Sequence, residues 1–106
     1  MTPEEYVEEV LALVEAIPPG RVMSYGAVAD HLSERSGRTS SRLVGSIMAR
    51  YGSGVPWYRV VNSAGRLPPG HELEARACLM AEGMVFRGDR VEMSRYAWYP
   101  GVAGQQ

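Results

Sequence analysis

A chain of 106 residues, 45% apolar and 22% charged, has the size and composition of one ordinary globular domain with one modest core. No apolar run approaches the roughly 20 residues that span a bilayer, the acidic start Met1-Thr2-Pro3-Glu4-Glu5 is unlike a secretory leader, and the single cysteine excludes an internal disulfide. That cysteine usage fits a reducing cytoplasm, the expected location. The formal net charge of −1 argues at first against a nucleic-acid partner, but its distribution points the other way. Residues 1–20 hold five glutamates and no basic residue, whereas residues 21–66 hold seven arginines against Asp30 and Glu34. A basic island of this kind suits a face that meets phosphate.

The elements follow in chain order. Thr2-Pro3-Glu4-Glu5 reads as a capping box with proline at the first helical position, and the helix it starts should run to about Ala16. That helix should bury Tyr6, Val7, Val10, Leu11, Val14 and Leu13 before Pro18-Pro19-Gly20 stops it. A short extended piece, Arg21-Val22-Met23, leads to Ser24 as N-cap of a second helix through about Leu32. After a polar turn, a third helix is expected from about Ser40 to Arg50. Two helices joined by a short glycine-containing turn form a helix-turn-helix pattern, a weak signal by itself.

The third helix adds detail. At about 100° per residue, Leu43, Val44, Ile47, Met48 and Tyr51 share one face, with Arg42, Gly45, Ser46 and Ala49 opposite and Arg38 beside them if the helix starts early. That opposite face is small and arginine-flanked, so DNA could approach closely; tight packing on another helix would use small residues too. Gly52-Ser53-Gly54 links into Val55-Pro56-Trp57, Arg59 to Ser63 should be extended, and Leu67-Pro68-Pro69-Gly70 forms a rigid loop. Glu72 to Glu82 reads as a helix with Leu73, Ala77, Leu79 and Met80 apolar, and Met48, Met80 and Met84 read as core. Met84 to Met93 should form a hairpin around Arg87-Gly88-Asp89-Arg90. Residues 1–100 thus make one domain, with 101–106 a disordered tail. Cys78, mid-helix, reads as a buried inert thiol, and His31 and His71 lack the cysteine cluster of a zinc site. No cofactor is implied.

Several ordered pieces resemble the C-terminal domain of the O6-alkylguanine-DNA alkyltransferases. Ile17-Pro18-Pro19-Gly20-Arg21-Val22 with Ser24-Tyr25-Gly26-Ala27-Val28-Ala29 resembles the lead into that family's helix-turn-helix, and Ser41-Arg42-Leu43-Val44-Gly45 the start of its recognition helix. Pro56-Trp57-Tyr58-Arg59-Val60-Val61-Asn62-Ser63 resembles the active-site loop, where the family has Pro-Cys-His-Arg-Val. Glu82-Gly83 and Arg95-Tyr96-Ala97-Trp98-Tyr99-Pro100 complete a match over residues 6–99. Trp57 stands at the cysteine nucleophile's position and Tyr58 at the histidine's. An indole has no sulfur to attack an alkyl carbon, so the resemblance is to the alkyltransferase-like branch, which binds a lesion without repairing it.

The resemblance implies a mainly α fold with minor β structure, a small winged-helix-like helix-turn-helix domain. It implies a non-enzymatic sensor of O6-alkylguanine in duplex DNA that docks in the minor groove, flips the damaged nucleotide and marks the site for nucleotide excision repair proteins. Its DNA contacts would be Tyr25, pressing on the target phosphate, Arg42, filling the vacated stack, and Arg38, Gly45, Ser46 and Ser63 along the backbone. The lesion pocket would be Trp57, Tyr25, Met48 and Val60, with no catalytic residue and no metal. Arg59 and Glu82 would be structural, and the protein a monomer bound to the nucleoid and to no membrane. Three rivals stay open: a transferase using another nucleophile such as Cys78, a lesion-shielding inhibitor of a true alkyltransferase, and a DNA-binding module blind to damage.

Overall fold

A computed structural model of the chain describes residues 2–36 and 40–101, without the side chains of 34–36. Helix α1 (Pro3–Ala16) starts at the expected capping box: the Glu5 amide donates to Thr2 Oγ1 at 3.1 Å and the Thr2 amide donates to Glu5 Oε1 at 2.9 Å. Strand β1 (Met23–Ser24) leads directly into α2 (Tyr25–Ser36), one turn longer than the sequence pattern suggests. Ser24 Oγ accepts from the Ala27 amide at 3.0 Å, as an N-cap should. Helix α3 (Ser41–Tyr51) is capped by Ser40, whose hydroxyl accepts from the Leu43 amide at 3.1 Å.

Strand β2 (Val60–Val61) pairs with β1 in parallel, Met23 against Val60 and Ser24 against Val61. Because side chains alternate across a strand, the pair divides the interior. Met23 and Val60 face the cluster made by α1, α2 and α3, with Val10, Val14, Val28 and Val44 fully buried there. Val22 and Val61 face a second cluster with Leu67, Ala75, Leu79, Met84, Val91 and Tyr96. The C-terminal segment joins the same pair: the Val22 amide donates to Tyr96 O at 3.0 Å and the Trp98 amide donates to Val22 O at 2.8 Å. A short helix (Met93–Tyr96), which no sequence pattern announces, delivers that segment.

Two expectations need correction. Helix α4 (Glu72–Ala81) buries Ala75 and Leu79, while Leu73 is 86% and Met80 54% exposed. Leu73, Ala77 and Met80 also recur at helical spacing, so the helix offers two apolar stripes, and the core takes the other. Met80 is therefore not a core residue. The expected hairpin shrinks to a tight turn in which Arg87 and Arg90 exchange backbone hydrogen bonds of 2.9 and 3.0 Å, with no strand on either side among the described residues. Residues 102–106, most of the expected disordered tail, lie outside the described residues.

Candidate nucleic-acid interface

Burial of Val44, Ile47 and Met48 turns α3 so that Arg42, Ser46 and Ala49 face outward. Gly45 lies among them, and a Cβ built there would meet nothing within 4 Å. No neighbouring helix therefore requires that glycine, which removes the packing explanation for the small face. Arg42 and Gly45 line a groove of about 310 Å³ with Tyr25, Gly26, Ser41, Asn62 and Ser63. Ser46 is exposed on the same helix but lies outside the groove lining, and Arg38 lies outside the described residues.

The groove borders a larger cleft of about 560 Å³, within the roughly 300–1,000 Å³ range of small-molecule sites. Arg66, Leu67 and Pro69 form one side of it, and Glu72, Leu73 and Arg76 from α4 another. Arg76 is held in place: its Nη1 donates to Gly88 O at 2.7 Å and its guanidinium carbon lies 4.5 Å from the Phe86 ring centroid. Among the described residues, Tyr25 and Asn62 alone line both groove and cleft. The β pairing explains why. Ser24 is registered with Val61, so the next residues out of the two parallel strands, Tyr25 and Asn62, emerge side by side. Burial raises the Tyr25 phenol above its ordinary pKa, so it stands at this neck as a neutral hydroxyl.

The loop after β2 is tied down at several points. Asn62 Oδ1 accepts from the amides of Ala64 and Arg66 at 2.9 and 2.8 Å, and the Asn62 amide donates to Arg66 O at 3.0 Å. Gly65 has φ +86°, and a Cβ there would lie 2.2 Å from Val91 O, so glycine alone fits.

The four residues expected to form one lesion pocket pack in or against the first core cluster but do not line one open cavity. Val60 is fully buried and Met48 is 8% exposed, both in the first core cluster, so neither walls an open site. Trp57 does not line the cleft. It occupies a 3₁₀ turn, Trp57–Arg59, and lines a separate groove of about 380 Å³ with Glu15, Ser53 and Pro56. Its ring meets Tyr58 and His71 edge-on, at centroid distances of 5.7 and 5.8 Å, and packs against both core clusters. Of the four, Tyr25 alone borders the cleft. Sequence alone does not assign Asn62, Arg66, Leu73 and Arg76 to a site, because strand register and the exposed stripe of α4 decide their positions.

Arg59 and Glu82 are the anchor expected of them. The Arg59 Nε donates to both Glu82 oxygens at 3.1 Å, and its Nη1 donates to Ile17 O at 2.8 Å. Glu82 Oε1 also accepts from the Gly20 amide at 2.8 Å. Burial opposes the Glu82 charge, but the hydrogen bonds from Arg59 and Gly20 outweigh it and hold the carboxyl below its ordinary pKa. Tyr58 is pushed upward, first by burial, although the Arg59 charge opposes the shift. Cys78 is half-buried on α4 and does not line the cleft. Among the described residues no group of three or more histidine, cysteine or acidic side chains could hold a metal.

Comparison with known proteins gives consistent results. The DNA-binding-domain model of 6-O-methylguanine DNA methyltransferase matches residues 5–84. A DNA base-flipping protein of Escherichia coli K12 is 35% identical over 100 residues, covering 90% of this chain and 75% of the relative. A DNA base-flipping protein of Vibrio parahaemolyticus is 30% identical over 103 residues, 92% and 99% of the two chains. The crystal structure of S. pombe Atl1 with damaged DNA containing O6-carboxymethylguanine superposes with a TM-score of 0.79 at 28% identity, over 94% of this chain and all of that one. An M. tuberculosis O6-methylguanine methyltransferase variant superposes with a TM-score of 0.60 at 26% identity, over 76% of this chain and 50% of that one.

Proposed function

Because the chain belongs to the 6-O-methylguanine DNA methyltransferase DNA-binding-domain family, we propose that it is a non-enzymatic sensor of O6-alkylguanine in duplex DNA. The observation that carries this reading is a groove lined by Arg42 that shares Tyr25 and Asn62 with a cleft lined by no thiol among the described residues. Arg42, Gly45 and Ser63 line the groove with Tyr25, which also borders the cleft. Among the described residues no thiol lines the cleft, and the position that matches the family's cysteine is Trp57. The base of a rotated nucleotide would enter the cleft past Tyr25, while Arg42 would fill the vacated stack with a planar, permanently charged group.

The lesion is bound and left chemically intact, so the useful product is a long-lived marked site for excision repair proteins. The relatives' base-flipping description and the damaged-DNA complex of S. pombe Atl1 support the same mechanism for this chain. Cys78 lies outside the cleft lining, which disfavours a relocated transferase.

Fluorescence anisotropy with two duplexes that differ by one O6-methyl on a guanine tests the proposal. A sensor binds the modified duplex more tightly, and its affinity falls steeply with salt as arginines displace phosphate counterions. Equal binding leaves only a helix-turn-helix DNA binder. A mass gain of one methylene on the protein after incubation with methylated DNA identifies a transferase instead.

A further inference from the structure

Tyr25 and Asn62 stand side by side at the neck where groove meets cleft, and of the two only Tyr25 has a function by resemblance. We propose that Asn62 is the second positioning residue of the neck, its carboxamide donating to a backbone phosphate of the flipped nucleotide. The inference rests on the flipping mechanism proposed above.

Three observations carry it. First, Asn62 and Tyr25 are the residues common to the groove and cleft linings, placed together by the Ser24–Val61 register. Second, the amide orientation is fixed. Oδ1 accepts from two backbone N–H groups at 2.9 and 2.8 Å, and a rotated amide would turn its NH2 against both. Third, the Nδ2 donors have no protein acceptor among the described residues, and Asn62 is exposed at this position. The side chain thus presents two oriented donors on a loop pinned where Gly65 meets Val91.

The acceptor follows from chain connectivity. When a base passes into the cleft, the flanking phosphates stay with the strand in the groove, so phosphate oxygens are what remain at the neck. A donor-only NH2 group complements an anionic oxygen, and a hydrogen bond to a charged partner is among the stronger kinds. Tyr25 and Asn62, side by side, would then hold the rotated backbone at two adjacent points.

Asn62→Asp is the discriminating variant. It keeps an oxygen for the Ala64 and Arg66 amides, removes both donors and places a negative charge at the neck. Its affinity for the lesion duplex should fall roughly tenfold or more, and more than its affinity for the plain duplex. An unchanged ratio between the two duplexes overturns the proposal. If the wild-type protein shows no preference for the lesion, the sensor reading itself has failed and the Asn62 inference goes with it. A cycle on the DNA side uses a neutral methylphosphonate at each phosphate flanking the lesion in turn. At one of them the wild-type protein should lose affinity while Asn62→Asp loses none. Equal losses for both proteins at both positions overturn the contact, and Asn62→Ala serves in the same cycle if the aspartate variant does not fold.

Discussion

Gly45→Ala should move stability and DNA affinity in opposite directions. Glycine in a helix interior costs about 1 kcal/mol relative to alanine, and nothing in the protein lies within 4 Å of the added methyl. The substitution should therefore stabilise the free domain by about 1 kcal/mol, raising Tm by roughly 4–8 °C for a domain of this size. The same methyl projects into the groove beside Arg42. Forcing an extra methyl into a close-packed contact costs about 1–3 kcal/mol, a loss of roughly fivefold or more in affinity. Thermal melts by circular dichroism give the first quantity, and anisotropy with the lesion duplex the second. A variant that is more stable and binds equally well would refute the close-approach role of this helix face. A variant that is less stable would refute the claim that the space over Gly45 is open.

Three further perturbations test separate parts of the site. Arg42→Ala should weaken lesion binding by about 1–3 kcal/mol, with a smaller effect on plain duplex, because the gap it fills exists only after flipping; an equal loss on both would make it an ordinary phosphate contact. Glu82→Gln leaves the mostly buried Arg59 guanidinium without its counter-charge and should cost about 3 kcal/mol or more of stability in a denaturant titration. The Glu82 pKa is lower in the folded state, so its contribution is full above the ordinary carboxylate range and disappears as pH falls through the folded value; the glutamine variant should lose that acid limb, and an unchanged pH profile would contradict the anchor. Trp57→Cys alone should transfer no methyl group, because Tyr58 is no base near neutral pH and burial pushes its phenol further up; the double variant with Tyr58→His is the minimum for a mass gain of one methylene.

Much of this fold is legible in the sequence because its signals are local. The capping box, Pro18-Pro19 and the serine caps bound α1, α2 and α3 within about a turn, since each depends on a few neighbouring residues. Arg42, Gly45 and Tyr25 follow from one helix face and a family resemblance, and all three reach the groove. Non-local facts stay hidden. No periodicity separates the Ala75–Leu79 stripe from Leu73–Ala77–Met80, because both repeat at helical spacing and only packing against Val22 and Val61 selects one. Asn62 gains its importance from the parallel register of two dipeptide strands, too short to leave a sequence pattern. Val60 and Met48 belong to the core and not to a pocket, and adjacency to a motif does not say which way a side chain points.

Trp57 connects the packing of this domain to the proposed absence of transfer chemistry. A nucleophilic thiolate needs an open approach to its substrate, so a catalytic residue at this position must stay thinly packed. The indole here packs against both core clusters and edges against Tyr58 and His71. It thereby ties the active-site-like loop to α3 on one side and to the lead into α4 on the other. Removing a packed tryptophan costs about 3–5 kcal/mol, a large share of the roughly 5–15 kcal/mol that stabilises a typical domain. Trp57 in the nucleophile's place thus supplies no thiol and braces the 3₁₀ turn that leads into β2, the strand from which Asn62 emerges. A lesion sensor of the proposed kind benefits from that rigidity, since an ordered site leaves less conformational entropy to lose when the lesion binds.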